Sequence, residues 1–260
     1  KKIILSQSIQ PVIIALYANS PFIEGKITDY MSYRSFIWTN TDPSRCGLLK
    51  FIYNKNFSFE MYVDYLLELP MYFVIRKNKY IDMTNLRFKD YLNKKKLNFK
   101  PTLEDWKIHM TTVFPEVRLK NYIEVRGADG GPWSRVCALP AFWTGLLYDE
   151  KNLNLLTNEI SSWKFDDILM FYENVRKFGL KTKTPDGENL VSFTKKILNL
   201  ANEGLKRRKI FNKNKDESFF LDPLNQIADA GKSPAEVWKK LFKDEWDNNI
   251  DMLYKKNYFR

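Results

Sequence analysis

The sequence predicts an α+β fold with a helical last third, and three observations carry that prediction. The first half alternates short apolar runs with turn residues, the pattern of strands and short helices. From about residue 150 onward the apolar positions recur at helical spacing. The chain has 260 residues, 44 % hydrophobic and 15 % aromatic, enough to build a sizeable core.

Taken in order, residues 5–18 read as a mostly apolar helix stopped by Asn19, Ser20 and Pro21. The stretch from Ile23 to Gly47 reads as a polar, turn-rich connection, dense in large side chains such as Arg34, Trp38, Asp42 and Arg45. "SFEMYVDYLLELP" is an amphipathic helix ended by Pro70. "MYFVIRKNKYIDM" is a hairpin around "KNK". "LRFKDYLNKK" and "TLEDWKIHMTTVF" are short helices, and a strand runs from Lys120 to Arg126. "WSRVCALPAFWTGLLYD" is an apolar helix that Pro140 should interrupt. "SPAEVWKKLF" opens with a capping box, Ser233 as N-cap, Pro234 in the first turn and Glu236 three residues on.

The net charge is +11. The lysines and arginines fall in short groups, at Lys94–Lys96, at "KRRK" around Arg207 and Arg208, and at Lys255 and Lys256, rather than along one face. No zinc-finger, RRM or KH pattern is present, so the expectation is solvated charge and no nucleic-acid partner. No apolar run approaches the roughly 20 residues that span a bilayer, and no membrane partner is expected. The two cysteines, Cys46 and Cys137, lack metal-ligand spacing. The single histidine, His109, excludes a His-rich metal site and argues against a Ser–His triad. A reducing, cytoplasmic setting is the expectation from this cysteine usage. The chain opens "KKIILSQSIQ", without methionine and without a signal-peptide pattern, and reads as part of a longer product.

The stretch "NYIEVRGADGGPW" holds the sharpest chemistry. Along a strand, Ile123 and Val125 share one face while Tyr122, Glu124 and Arg126 share the other. Glu124 and Arg126 would then lie roughly 7 Å apart. A carboxylate there suits a hard divalent cation, and a guanidinium one step on suits a phosphate oxygen. The alternative is a cross-strand ion pair on a solvated face. The glycine-rich "GADGGPW" that follows matches neither the P-loop nor the dinucleotide fingerprint. Arg34 and Arg45 suit either a clamp on substrate carboxylates or plain surface charge. His109 suits an acid/base role or a structural one, and Tyr72 and Phe73 are most simply core.

In these and neighbouring stretches the chain resembles glutamate–cysteine ligase (γ-glutamylcysteine synthetase) of the plant and α-proteobacterial type. The resemblance rests on "IQPVIIALYANSPFIEGK", "SYRSFIWTNTDPSRCG", "YVDYLLELPMYFVIRKNKYID", "DWKIHMTTVFPEVRLKNYIEVRGADGGPWSRVCALPAFWTGLLYD" and "SPAEVWKKLFKDEW". They cover nearly the whole chain in order, and the long central stretch is the most specific. The resemblance implies a glutamine-synthetase-like carboxylate–amine ligase fold, an antiparallel sheet with surrounding helices. It implies ATP-dependent ligation of the glutamate γ-carboxyl to cysteine through a γ-glutamyl phosphate, the first step of glutathione biosynthesis, with Mg2+ on the phosphates. Glutamate, cysteine and ATP are the expected partners, and the oligomeric state is left open.

Residue by residue, the resemblance assigns Glu124 to magnesium and Arg126 to the transferring phosphate. Arg34 becomes the substrate-carboxylate arginine, Tyr72 a wall of the cysteine pocket, and Trp133 a substrate-site residue. Arg45, Arg135 and His109 lie in family motifs without an assigned contact. The family protein is longer at its N-terminus, so residues 1–260 are expected to be the C-terminal part of a single catalytic domain, inactive alone. Plant members carry a regulatory cysteine pair where this chain has Met83 and Asn98, while Cys137 matches a family cysteine. Two alternatives stay open: a ligase of the same fold with a different amine, and a non-catalytic basic binding protein. Arg34, Glu124 and Arg126 standing together argue against the second.

Overall fold

Residues 1–93, 98–212 and 215–255 are described in the computed structural model. The elements are helical and short-stranded, as an α+β reading requires. The first helix, α1 (Lys2–Tyr17), is mostly apolar and buried along almost its whole length, from Leu5 to Tyr17, its polar Ser6, Gln7, Ser8 and Gln10 included. A helix without a polar face has to be enclosed on every side. The connection from Ile23 to Gly47 holds more structure than its turn residues suggest. It contains a hairpin, β1 (Phe22–Ile23) with β2 (Lys26–Ile27), a helix, α2 (Tyr33–Thr39), and the short strand β3 (Cys46–Gly47).

Next come α3 (Phe59–Glu68), N-capped by Ser58, and the hairpin β4 (Phe73–Arg76) with β5 (Lys79–Asp82). Lys77 and Asn78 make its turn with φ of 49° and 60°, the left-handed pair that a two-residue hairpin requires. Helices α4 (Phe88–Asn93) and α5 (Leu103–Thr111) follow. Three short strands come after them, β6 (Phe114–Pro115), β7 (Val117–Leu119) and β8 (Ile123–Val125). The sequence-predicted strand from Lys120 to Arg126 is therefore shorter, and β7, unforeseen, is its antiparallel partner.

The remainder is dominated by helices: α6 (Trp133–Leu147), α7 (Glu150–Glu159), α8 (Phe165–Phe178) and α9 (Leu190–Arg208). The hairpin β9 (Phe211–Asn212) with β10 (Lys215–Asp216) is followed by α10 (Asp222–Ala230), α11 (Pro234–Asp244) and α12 (Asp251–Lys255). Pro140 does not interrupt α6, which runs straight through it. Its neighbours Ala138, Ala141 and Phe142 are buried, and their packing outweighs the one lost backbone donor. The Ser233 capping box is formed on both sides, with Glu236 N–H donating to Ser233 Oγ and Ser233 N–H to Glu236 Oε2. The lysine group Lys94–Lys96 and Lys256 lie outside the described residues.

Two compact units emerge, one inserted in the other's sequence: residues 1–37 with 127–260, and residues 38–126. In the first, α1 packs against α8 and α7, and α6 crosses α9. That crossing is glycine on glycine: a methyl group at Gly204 would overlap the Gly145 carbonyl and sit 2.6 Å from Asn152 Nδ2, and one at Gly145 would overlap the Ala201 backbone. Asn152 Nδ2 donates to the Gly145 carbonyl at 2.8 Å and also to that of Leu200. In the second unit, Met71, Val74, Met83, Phe88 and Tyr91 form a core beneath the β4–β5 hairpin. Arg76 of the hairpin grips the buried Asp105 of α5 through two nitrogens at 2.7 and 2.6 Å. Each ladder among the described residues has two strands; β3–β6 is parallel and the others are antiparallel.

Candidate functional site

The site begins in the second unit with the β7–β8 ladder, whose register places Arg118 directly opposite Glu124. Arg118 is nearly buried at 8 % exposure. Its Nη1 donates to the carbonyls of Thr111 and Val113, both at 2.9 Å, which fixes the plane of the guanidinium. Its Nε and Nη2 then both reach Glu124 Oε2, at 3.0 and 2.6 Å. From the next same-face position, Arg126 Nη1 donates to Glu124 Oε1 at 2.7 Å. The Arg126 guanidinium also lies over the rings of Phe114 and Trp38, 5.5 and 5.8 Å from their centroids.

One carboxylate thus sits between two guanidiniums. Burial pushes the Glu124 carboxyl up, but the hydrogen bonds and charges of Arg118 and Arg126 outweigh it and hold the carboxyl below its usual range. The cross-strand ion pair foreseen as the alternative is present, on a half-buried face rather than a solvated one.

The other nominated residues of this unit form a second cluster. Asp42 accepts from Ser44 N–H, Ser44 Oγ and Arg45 Nε at 3.0, 2.6 and 2.9 Å, and more weakly from the Tyr72 hydroxyl at 3.4 Å. Arg45 is neither clamp nor surface charge. It is 1 % exposed, stacks 4.0 Å from the Tyr72 ring centroid, and donates onward to the carbonyls of Thr112 and Pro70. Tyr72, half-buried, is therefore held at its hydroxyl by Asp42 and on its ring face by Arg45. His109 takes its structural reading: it is 2 % exposed, with Nε2 2.8 Å from the Leu66 carbonyl, and packs against the rings of Phe88 and Trp106, which also touch each other. Burial pulls its pKa below the usual imidazole range, with the Leu66 hydrogen bond opposing.

Arg34 and Trp133 belong to the first unit. Arg34, on α2, receives its orientation from its own backbone N–H, which donates to Ser20 Oγ at 3.1 Å, and from Nη1, which reaches the Gly127 carbonyl at 3.3 Å. Trp133, the first residue of α6, is 78 % exposed. Between them in the sequence lies a residue that sequence reasoning missed. Asp129 is 4 % exposed and accepts from Asn19 N–H at 3.0 Å and from the hydroxyls of Ser20 and Ser32 at 2.7 Å each. Burial pushes its carboxyl up, against those hydrogen bonds and the Arg34 charge. The signal available was the single acidic residue inside "GADGGPW".

Glu124 is the one nominated magnesium ligand, and its donor set can be tested. A carboxylate offers about four lone-pair directions. The two arginines take three of them, so one cation contact fits without displacing Arg118. Among the described residues no group of three or more His, Cys, Asp or Glu gathers to hold a metal. The fit is therefore that of one ligand within a larger set.

Comparison with known proteins bears on this geometry. The family model described as "Glutamate-cysteine ligase family 2(GCS2)" matches residues 1–256. The chain is 46 % identical over 250 residues to "Glutamate--cysteine ligase, chloroplastic" of Solanum lycopersicum, covering 95 % of this chain and 47 % of that protein. It is 45 % identical to "Glutamate--cysteine ligase A, chloroplastic" of Oryza sativa subsp. indica, covering 95 % of this chain and 50 % of that one. For the Arabidopsis thaliana protein of the same name as the tomato one, identity is 44 %, over 95 % and 47 %. The chain spans about half the length of the curated relatives it matches. These names overturn the cytoplasmic expectation, since each of the three relatives is chloroplastic. Cysteine usage reports redox chemistry, whereas a compartment is set by a targeting segment that folded residues do not encode. No helix among the described residues is long and apolar enough to cross a membrane.

Proposed function

We propose, because this chain belongs to glutamate–cysteine ligase family 2 (GCS2), that it forms part of an ATP-dependent ligase joining the γ-carboxyl of L-glutamate to the amine of L-cysteine. The observation that carries the proposal is the strand β8 with its neighbours. It presents Glu124 and Arg126 side by side on one face, with Arg118 locking the carboxylate from across the ladder.

In the reaction proposed, a γ-carboxylate oxygen of glutamate attacks the terminal phosphorus of ATP, and ADP leaves. The cysteine amine then attacks the acyl carbon, phosphate departs, and the amine gives up a proton. The first displacement loads negative charge on the phosphoryl oxygens, so positioned cations are its main demand. Arg126 is the group assigned to that charge. Its guanidinium, held against Phe114 and Trp38, already lies in a defined place and needs little reorganisation. Glu124, kept ionised by its two partners, is one magnesium ligand, and magnesium, when bound, neutralises charge on the phosphates. Arg34 is assigned to a substrate carboxylate, Tyr72 to the cysteine pocket and Trp133 to the substrate site. The glutamine-synthetase-like sheet, and the place of residues 1–260 within one larger catalytic domain that supplies further magnesium carboxylates, belong to the same proposal.

The deciding experiment measures ADP release by the protein containing this chain, with glutamate and with cysteine or other amines in turn. Cysteine-dependent release together with γ-glutamylcysteine by mass spectrometry supports the reading. Release with a different amine only would make this a ligase of another specificity, and no release with any amine would remove the ligase reading.

A further inference from the structure

We propose that the start of α6 is a binding site for a small oxyanion, a carboxylate or phosphate group, with Arg135 as its cationic partner. Arg135 is 5 % exposed, yet its Nη1 is buried without a hydrogen-bond partner. The guanidinium folds back over the loop that leads into the helix. A Cβ built on Gly131 would stand 2.9 Å from its Nε and 3.2 Å from its Nη2, so only glycine leaves room for it there.

That loop delivers the chain to Pro132, the N-cap of α6, where no side chain accepts from the first turn. The N-terminus of a 15-residue helix therefore stands uncapped beside a buried cation. Uncapped amides and the helix dipole both favour an anion. A planar guanidinium matches the two oxygens of a carboxylate or phosphate.

Among the described residues, no carboxylate hydrogen-bonds to the guanidinium. Asp129 and Tyr17 are close enough for their charges to favour the protonated guanidinium, but burial dominates and pulls its pKa down. Both Asp129 oxygens are already taken, by Asn19, Ser20 and Ser32. The Tyr17 hydroxyl donates to the Arg135 carbonyl at 2.8 Å, which fixes the backbone and leaves the guanidinium alone. Burying a cation without a partner costs stability, and an external anion supplies the partner. This inference does not depend on the ligase reading, because it concerns binding and not turnover.

The test titrates potassium phosphate and potassium L-glutamate into the protein containing this chain, at constant ionic strength against potassium chloride. The readouts are the melting temperature and the NMR signals of Arg135 Nε–H and the Trp133 indole. Saturable shifts and a rise in melting temperature are expected with at least one anion, and which anion acts identifies its source. Arg135→Met keeps the length and removes the charge. It should melt no lower than the parent and bind the anion about tenfold more weakly or worse, the loss of one charge-assisted contact. Gly131→Ala keeps the charge but displaces the guanidinium, and should weaken binding as well. Non-specific attraction to a chain of net charge +11 would survive either substitution. No saturable response to either anion, or an equal response in Arg135→Met and the parent, overturns the proposal.

Discussion

Arg118 and Glu124 stand in register across the β7–β8 ladder, and one guanidinium gives both Nε and Nη2 to a single carboxylate oxygen. Because Arg118 is pinned in turn by two backbone carbonyls, the Glu124 carboxylate is held in one orientation whatever Arg126 does. The first prediction concerns that carboxylate. In the parent protein, Glu124→Gln should fold, with a loss of about 1–2 kcal/mol from weakening a half-buried charged pair. Turnover should fall by about 100-fold, and the magnesium concentration for half-maximal rate should rise, since a neutral amide is a poor ligand for a hard cation. Normal activity at limiting magnesium would remove Glu124 from the metal.

A second prediction follows from His109, the chain's single histidine. Its folded pKa is depressed by burial, so the native state keeps it neutral while the unfolded chain takes up a proton below about pH 6.5. Its contribution is therefore present above that pH and is lost as the pH falls through the folded value, at about 1.4 kcal/mol per pH unit within the window. Asp129, whose carboxyl is raised, acts with the opposite sign, so the difference between variants isolates the imidazole. Melting curves of the parent and His109→Gln between pH 7 and pH 5 should converge on acidification. Parallel curves would mean that His109 is charged in the fold.

Gly204 gives a packing prediction. Gly204→Ala forces a methyl group onto the Gly145 carbonyl at the α6–α9 crossing, and should cost about 3 kcal/mol or more. Gly130, with nothing within 4 Å of a built Cβ, is the control, and Gly130→Ala should change stability little. Equal denaturation midpoints for the two variants would show that the helices separate freely.

The fourth prediction is redox insensitivity. Met83 is 4 % exposed in the core beneath the hairpin, and Cys46 and Cys137 are both free thiols. Activity of the protein containing this chain should change little between reductant and mild oxidant. A several-fold reversible loss under reductant would reveal a regulatory disulfide.

Where local chemistry decides structure, the sequence was readable. Lys77 and Asn78 make the hairpin turn, Ser233 and Glu236 make the cap, and α1 is enclosed because it has no polar face. Helix α2 escaped notice because its seven residues are bracketed by turn formers and bury little besides Ser35. Strand β7 escaped because Val117 and Arg118 are both buried, which erases the alternation that marks a strand. Arg118 within "EVRLK" reads as surface charge until its register with Glu124 is known. Asp129 was hidden for a deeper reason: its donors lie about a hundred residues away in sequence, at Asn19, Ser20 and Ser32, and no local pattern encodes them. Of the nominated residues, Glu124 and Arg126 do meet on one face as the period of two required.

The insertion of residues 38–126 within the sequence of the other unit carries a consequence for synthesis. Residues 1–37 meet the rest of their unit only after residues 38–126 have been made, since it begins at Gly127. At about 5–20 residues per second, that interval lasts roughly 4–18 seconds. Throughout it α1, mostly apolar, precedes α8, and the carboxylate that will join Asn19, Ser20 and Ser32 does not yet exist. For those seconds α1 lacks the helices of its own unit that will pack against it. Slowing translation within residues 38–126 should raise the aggregated fraction more than slowing it once α8 has left the ribosome.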